Sequence, residues 1–300
     1  MANPKKKDVW DVSALEQARE VSSVSAAGGL MLAGGASALY RMRPGMHALQ
    51  VRPFPFPGLI RAVAVEPTRP HRAAVVSDGE LVLWDFARDA VGFQHVKLDP
   101  SAPKANALAW GMVKGRSVLH VLGDDNVVLR SMPGHPLEEI PLEGAVALVN
   151  DPNGLLGILT DDGRLYVSDN GENWKFRQLP LTLFGHEPHV AIRGMTAAIE
   201  VDGALWISRG EDDPFDHHEE VSQAGALAVG DDDAIYVVEF EGEARSLVCV
   251  RAGEDMTRIL ETTSAPVSLA WDASRSALWW ASEDGLVMVS AADSKKATLS

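Results

Sequence analysis

The chain has 300 residues, 46% of them hydrophobic and 23% charged, which suits a folded globular protein and excludes a disordered one. Its 42 Asp and Glu against 27 Lys and Arg leave a net charge of −15, which excludes nucleic acid and anionic membranes as general partners. The single cysteine, Cys249, excludes an internal disulfide and a cysteine-rich zinc site, and it fits a cytoplasmic home.

At the N-terminus Lys5, Lys6 and Lys7 are followed by Asp8, Asp11, Glu16 and Glu20, with no clean apolar stretch, so no signal peptide is expected. The Gly/Ala/Leu run from Ala26 to Ala38 is too short for a membrane span and reads as a buried strand pair. That run lies within the first of about seven units of roughly 40 residues. Each unit begins with a similar strand phrase, clearest in Ala62-Val63-Ala64-Val65, Ala107-Leu108-Ala109-Trp110, Ala226-Leu227-Ala228-Val229 and Ser268-Leu269-Ala270-Trp271. The central apolar residues are Val24, Val63, Leu108, Leu148, Ile192, Leu227 and Leu269, spaced 39, 45, 40, 44, 35 and 42 residues apart. A period of this length predicts an all-β, seven-bladed β-propeller of four-stranded antiparallel blades. The small residue after the central position (Ser25, Ala64, Ala109, Ala228, Ala270) is read as relief of crowding around the axis. Arg193 breaks that rule and is read either as pointing into the channel or as a register error.

The second and third strands of each unit read as a hairpin. Its turn is Gly34-Gly35, Asp78-Gly79, Asp124-Asp125, Asp162-Gly163, Asp202-Gly203, Glu241-Gly242 and Asp284-Gly285 in successive units. Asp-Gly is favoured there because Gly accepts positive φ without a Cβ clash. The fourth strand is the most polar, as an exposed edge should be: Phe93 to Leu98, Leu137 to Ile140 and His218 to Val221. One domain over 1–300 is expected, with blades at 20–54, 60–98, 105–142, 145–181, 189–223, 225–262 and 266–300 and an N-terminal extension at 1–15. The ring is expected to close through an N-terminal strand, Gln17 to Ser22, in competition with Lys296 to Leu299.

Leu83-Trp84-Asp85, Val9-Trp10-Asp11 and the Leu-Ala-Trp inner strands resemble those of the WD40-type propellers. The period covers most of the chain, whereas Trp-Asp pairs are few and the Gly-His pairs at 134–135 and 185–186 fall irregularly. The family's hydrogen-bonded tetrad is therefore not carried onto every blade. A second, local resemblance lies in Val167 to Trp174, which looks like the Asp-box turn of sialidase-type propellers, with Asp169, Gly171 and Trp174 matching and Val167 and Asn173 departing. In that family the box holds the fold, so Asp169 is expected to accept backbone N–H groups while Trp174 packs between blades. The resemblance carries no sialidase activity with it.

No catalytic signature, cofactor fingerprint or metal-ligand spacing emerges. Gly185-His186-Glu187-Pro188-His189 lacks the helical i, i+4 pair of a metalloprotease, and His217 and His218 would face opposite sides of a strand. The acidic runs at 212–216 and 231–233 match no calcium loop.

What stands out is charge on one face. Second-to-third strand turns share a face with the blade-linking loops. They gather Asp78, Asp124, Asp125, Asp161, Asp162, Asp202, Glu241, Glu243, Glu283 and Asp284 into an acidic crown around the channel mouth. Residues 151–300 hold 27 acidic against 11 basic residues, while 1–150 hold 15 against 16. The opposite face is mixed, with Arg69, His71, Arg72, Lys114 and Arg116 on blades two and three. The Ala/Gly/Val-rich composition is read as bacterial. The expected function is a non-enzymatic scaffold that docks a basic protein as part of a hetero-complex. The alternative is a hydrolase or glycan-binding module using the channel mouth.

Overall fold

Short apolar strands separated by Gly- and Asp-bearing turns fold into seven four-stranded antiparallel sheets, and the strands of six of them follow one another in chain order. The computed structural model describes residues 10–291 except 16, 17, 19, 37, 44, 45, 47, 48, 56, 57, 70, 79, 87–92, 97–103, 132–136, 263 and 265. The innermost strands of blades 1 to 7 are Ser23–Ala27, Ile60–Val65, Ala105–Val113, Ala145–Asn150, His189–Arg193, Ala224–Val229 and Pro266–Asp272. All seven central apolar residues read from the sequence lie on them. The protein is a seven-bladed β-propeller.

The blades stack through a repeated fit of large against small. Val24, Val63, Leu108, Leu148, Ile192, Leu227 and Leu269 each pack onto the preceding blade. On a strand the next side chain points the other way, toward the following blade. There Ala64, Ala109, Ala228 and Ala270 meet the apolar residue of that blade. Their smallness is thus set by the neighbour's bulk as much as by crowding at the axis. Blade 4 carries Val149 at this position, and Gly157 makes the room, since a Cβ on Gly157 would come within 2.9 Å of Val149 Cγ1.

At two other blades the same position is polar. Ser25 Oγ accepts the N–H of Val65 at 3.2 Å. Arg193 keeps the register, pairs with Asp231 of blade 6 and lies outside the channel lining. The innermost strand is a sheet edge whose N–H groups need acceptors. Neighbouring blades supply them: Ser23 Oγ for Val63, Asn150 Oδ1 for Trp110 and Ser268 Oγ for Val24, at 3.2 to 3.3 Å.

The ring closes through an N-terminal strand, a few residues before the expected segment. Trp10–Leu15 is the outer strand of blade 7 and pairs antiparallel with Gly285–Ala291 from Trp10↔Ala291 to Leu15↔Leu286. Residues 10–15, assigned from sequence to an extension, therefore complete a blade. The described residues of the 17–22 segment form the connector instead. Ala18 and Val21 are buried between blades 7 and 1, and the N–H groups of Glu20 and Val21 donate to the carbonyls of Glu283 and Ser282. The competing segment Lys296 to Leu299 lies outside the described residues. The outer strand of blade 5 also shifts, to Asp216–His217, because Val221 leaves the edge to plug the interface with blade 6.

One buried histidine breaks the apolar pattern. His120 is fully buried between blades 3 and 4, where a Cβ on Gly111 would touch its Cε1 at 3.0 Å. Its Nδ1 contacts the Val118 carbonyl at 3.1 Å, and burial, aided by the nearby Arg130 charge, lowers its pKa from the usual value to about 4.

Two predictions follow from closure and burial. Deleting residues 1–15 should lower the midpoint of thermal unfolding by several degrees, since it strips one strand from blade 7; an unchanged midpoint would rule out strand closure. Acidification from pH 6.5 to 4 should cost about 3 kcal/mol through His120, because the unfolded chain takes up the proton that the folded one refuses. Burial raises the pKa values of Glu66 and Glu200, which act in the opposite direction. The readout is therefore the pH dependence of the stability difference between wild type and His120→Leu, and a flat difference would refute the assignment.

Candidate functional site

The two flat faces of the ring are built from different turns. Second-to-third strand turns meet the loops that link blades: Asp124 Oδ1 accepts the Lys104 N–H at 3.0 Å, the Asp161 N–H donates to the Gly144 carbonyl, and the Ala224 N–H donates to the Gly203 carbonyl. Asp78, Asp124, Asp125, Asp162, Asp202, Glu241, Glu243, Glu283 and Asp284 are exposed there and Asp161 is half-buried. The structure brings all ten to one face. It sets them at mid-radius, however, and none lines the channel, whose walls are mainly the Val24, Val63, Leu108, Leu148, Leu227 and Leu269 row enclosing about 260 Å³. The crown surrounds the mouth at a distance, because these turns join the second and third strands and not the first.

Some of these carboxylates serve the fold. Asp125 Oδ1 accepts the Val127 N–H, and Asp162 Oδ1 accepts the Thr160 hydroxyl and the Arg164 N–H. Asp162 pairs with Arg164 at 3.2 Å, Asp202 with His186 at 2.9 Å, and Glu241 with Arg258 at 3.1 Å. Asp78, Asp161, Glu243, Glu283 and Asp284 make no side-chain hydrogen bond or ion pair among the described residues. Turn chemistry requires an acceptor, and these charges exceed that requirement. Blades 2 and 3 dilute the acid, since Arg61 and Lys104 line the hollow between Asp78 and Asp124.

The same face carries a feature that pattern reading passed over. In the link between blades 4 and 5 Phe184 is 85% exposed, and Leu181 stands exposed beside it. A Leu-Phe-Gly-His turn between two strands is the available signal, but exposure of its Phe follows only from which neighbour is buried.

On the opposite face the basic cluster is largely neutralised. Arg72 reaches the buried Glu66 at 3.1 Å and lies over the Trp110 ring, and Lys114 pairs with Glu172 at 3.0 Å. Glu66 lies among cations, yet burial still raises its pKa. Between blades 4 and 5 this face opens into a cleft of about 640 Å³ over Leu155, Val167 and Met195, spanned by a Lys175–Glu211 ion pair. Its flanks are already committed: Asp151 accepts the N–H groups of Asn153, Leu155 and Gly194, and Arg177 donates to Met195, Ser208 and Gly210.

The Asp-box segment sits on the rim of this cleft with its roles redistributed. Asp169 is exposed and accepts no hydrogen bond among the described residues. Its expected part is taken by Asn170, whose Oδ1 accepts the N–H groups of Glu172 at 3.0 Å and Asn173 at 2.8 Å. Ser168 Oγ accepts the Gly171 N–H at 2.8 Å. Gly171 adopts φ +67° against Val113, and half-buried Trp174 packs on the core between blades 3 and 4.

Among the described residues the histidines do not converge. His217 lies against Trp206, His218 is near Glu220, and burial lowers the His218 pKa. No group of three or more His, Cys, Asp or Glu suited to a metal occurs among the described residues.

No protein-family model and no curated protein matches the chain. Among solved structures the fold is similar to a streptogramin B lyase, with TM-score 0.71 and 8% identity over 93% of this chain and 97% of that one. It is similar to YCF48 bound to D1 peptide, with TM-score 0.67 and 12% identity over 96% and 98%. It is also similar to the Cps50 (Swd1) β-propeller domain of Myceliophteria thermophila, with TM-score 0.70 and 11% identity over 94% and 98%. At such identities the likeness is one of fold alone, and that fold serves an enzyme in one case and holds a peptide in another.

Asn170→Ala should destabilise the protein by about 1–2 kcal/mol, through two backbone N–H groups left without their acceptor. Asp169→Ala should fall within about 0.5 kcal/mol of wild type in the same chemical denaturation. Equal losses would return the acceptor role to Asp169.

Proposed function

We propose that this propeller is a non-enzymatic interaction scaffold, one subunit of a larger assembly, and that it docks a basic protein on its acidic turn face. The observation that carries the reading is the set of carboxylates on that face, Asp78, Asp161, Glu243, Glu283 and Asp284, that form no ion pair among the described residues. A charge that the fold does not use costs self-repulsion, and a complementary surface relieves it. Several blades contribute, so the surface is wide enough for a protein rather than a small molecule. A similar propeller bound to a peptide agrees with the reading. The alternative site at the channel mouth finds little support, because Ser25, Asn150 and Ser268 are the only polar side chains in its described lining, fewer than glycan binding or hydrolysis needs. On this reading the assembly is cytoplasmic and the partner surface rich in Lys and Arg.

Affinity purification from the native host compares wild type with an Asp124→Lys, Asp161→Lys, Asp202→Lys variant shown by thermal unfolding to be folded. The expected result is a partner held by wild type, weakened by rising salt, and recovered at least tenfold less by the variant. Equal recovery at every salt concentration would remove the acidic face from consideration.

A further inference from the structure

We propose that the turn Leu183 to His186 presents Phe184 as the aromatic anchor of the acidic face, for insertion into an apolar pocket rimmed by Lys or Arg on a folded partner protein. This rests on the docking reading above and gives it a centre.

Phe184 is 85% exposed, more than any other large hydrophobic side chain described. The ring contributes little to the core, so the fold gains almost nothing by carrying it. Its backbone, by contrast, is tightly held. The His186 N–H donates to the Leu183 carbonyl at 3.0 Å and closes a four-residue turn with Gly185 third in line at φ +80°. That is the pattern of a type II turn, which needs Gly at this place because a Cβ would strain the positive φ.

Both shoulders of the turn are fixed. Leu183 is fully buried between blades 4 and 5, and its N–H donates to the Asp161 carbonyl. His186 Nδ1 meets the Asp202 carboxylate at 2.9 Å. The hairpin turns of two adjacent blades therefore hold one loop and raise its aromatic tip into solvent. A rigid aromatic tip loses little conformational freedom on binding, and such residues dominate the energetics of interfaces.

The surroundings select the partner. Asp161 and Asp202 hold the turn, Asp162 and Glu187 adjoin them in the chain, and Arg164 is already paired to Asp162. A pocket that receives Phe184 must face these carboxylates, so a basic rim complements it and an acidic one is repelled. A second copy of this chain is disfavoured on the same ground, with a net charge of −15 on each copy.

The test places p-benzoylphenylalanine at position 184 of the full chain in the native host, with position 195 on the opposite face as the control. Irradiation should yield one adduct from position 184 only, to a different protein. The cross-linked peptide, identified by mass spectrometry, should contain apolar residues flanked by Lys or Arg. That purified protein is then titrated against three variants. Phe184→Ala should weaken binding about 30-fold with the salt dependence intact, and Phe184→Leu should weaken it less. The Asp124→Lys, Asp161→Lys, Asp202→Lys variant should flatten the salt dependence. No adduct at 184, or an adduct to a second copy of this chain, overturns the proposal. If Phe184→Ala binds as wild type while the charge variant fails, the anchor is wrong and the acidic face stands. If the charge variant binds as wild type, the basic rim falls, and the docking reading falls with it.

Discussion

Everything in this ring depends on one contact repeated around the axis. A bulky aliphatic side chain from each innermost strand packs onto the blade before it, and the next side chain faces the blade after it. Period-two alternation makes the arrangement automatic: two successive residues serve two different interfaces. Large beside small gives close packing, and where the small residue is lost the structure compensates. Gly157 makes room for Val149, and Arg193 turns the contact into an ion pair with Asp231. Serine and asparagine side chains then accept the N–H groups that the innermost edge would otherwise leave bare.

A ring of equivalent interfaces needs one that is closed by a different route, since the chain has two ends. Here the N-terminal strand pairs with the C-terminal hairpin, and the connector that follows buries Ala18 and Val21 in the same seam. Sequence pointed to the right end of the chain and the wrong six residues. What decides is that Ala18 and Val21 are needed inside the seam, so the pairing strand must lie before them. The Trp-Asp pair at 10–11 consequently sits on an outer strand, unlike Trp84-Asp85 on a third strand.

The proposed docking surface grows out of the same geometry. Hairpin turns that recur once per blade are brought to one face by topology alone, so any charge they carry accumulates there. Their carboxylates divide into those that close turns, such as Asp125 and Asp162, and those that the fold leaves unused, such as Asp161 and Asp284. The Asp-box segment teaches the reverse lesson. Its outline was legible, yet the acceptor is Asn170 and not Asp169, because the local backbone path decides which side chain faces the N–H groups.

The amino-acid sequence by itself determined the blade number, the innermost strands and the face on which the acidic turns collect. Each of these follows from a period or a local turn chemistry written in consecutive residues. Only the tertiary structure decided that the crown stands back from the channel, that Arg72 and Lys114 on the opposite face are spent on buried Glu66 and on Glu172, and that Phe184 rises exposed between two pinned shoulders. The physical reason is shared: exposure and pairing depend on what a neighbouring blade brings alongside, and those partners lie roughly one repeat away in the chain.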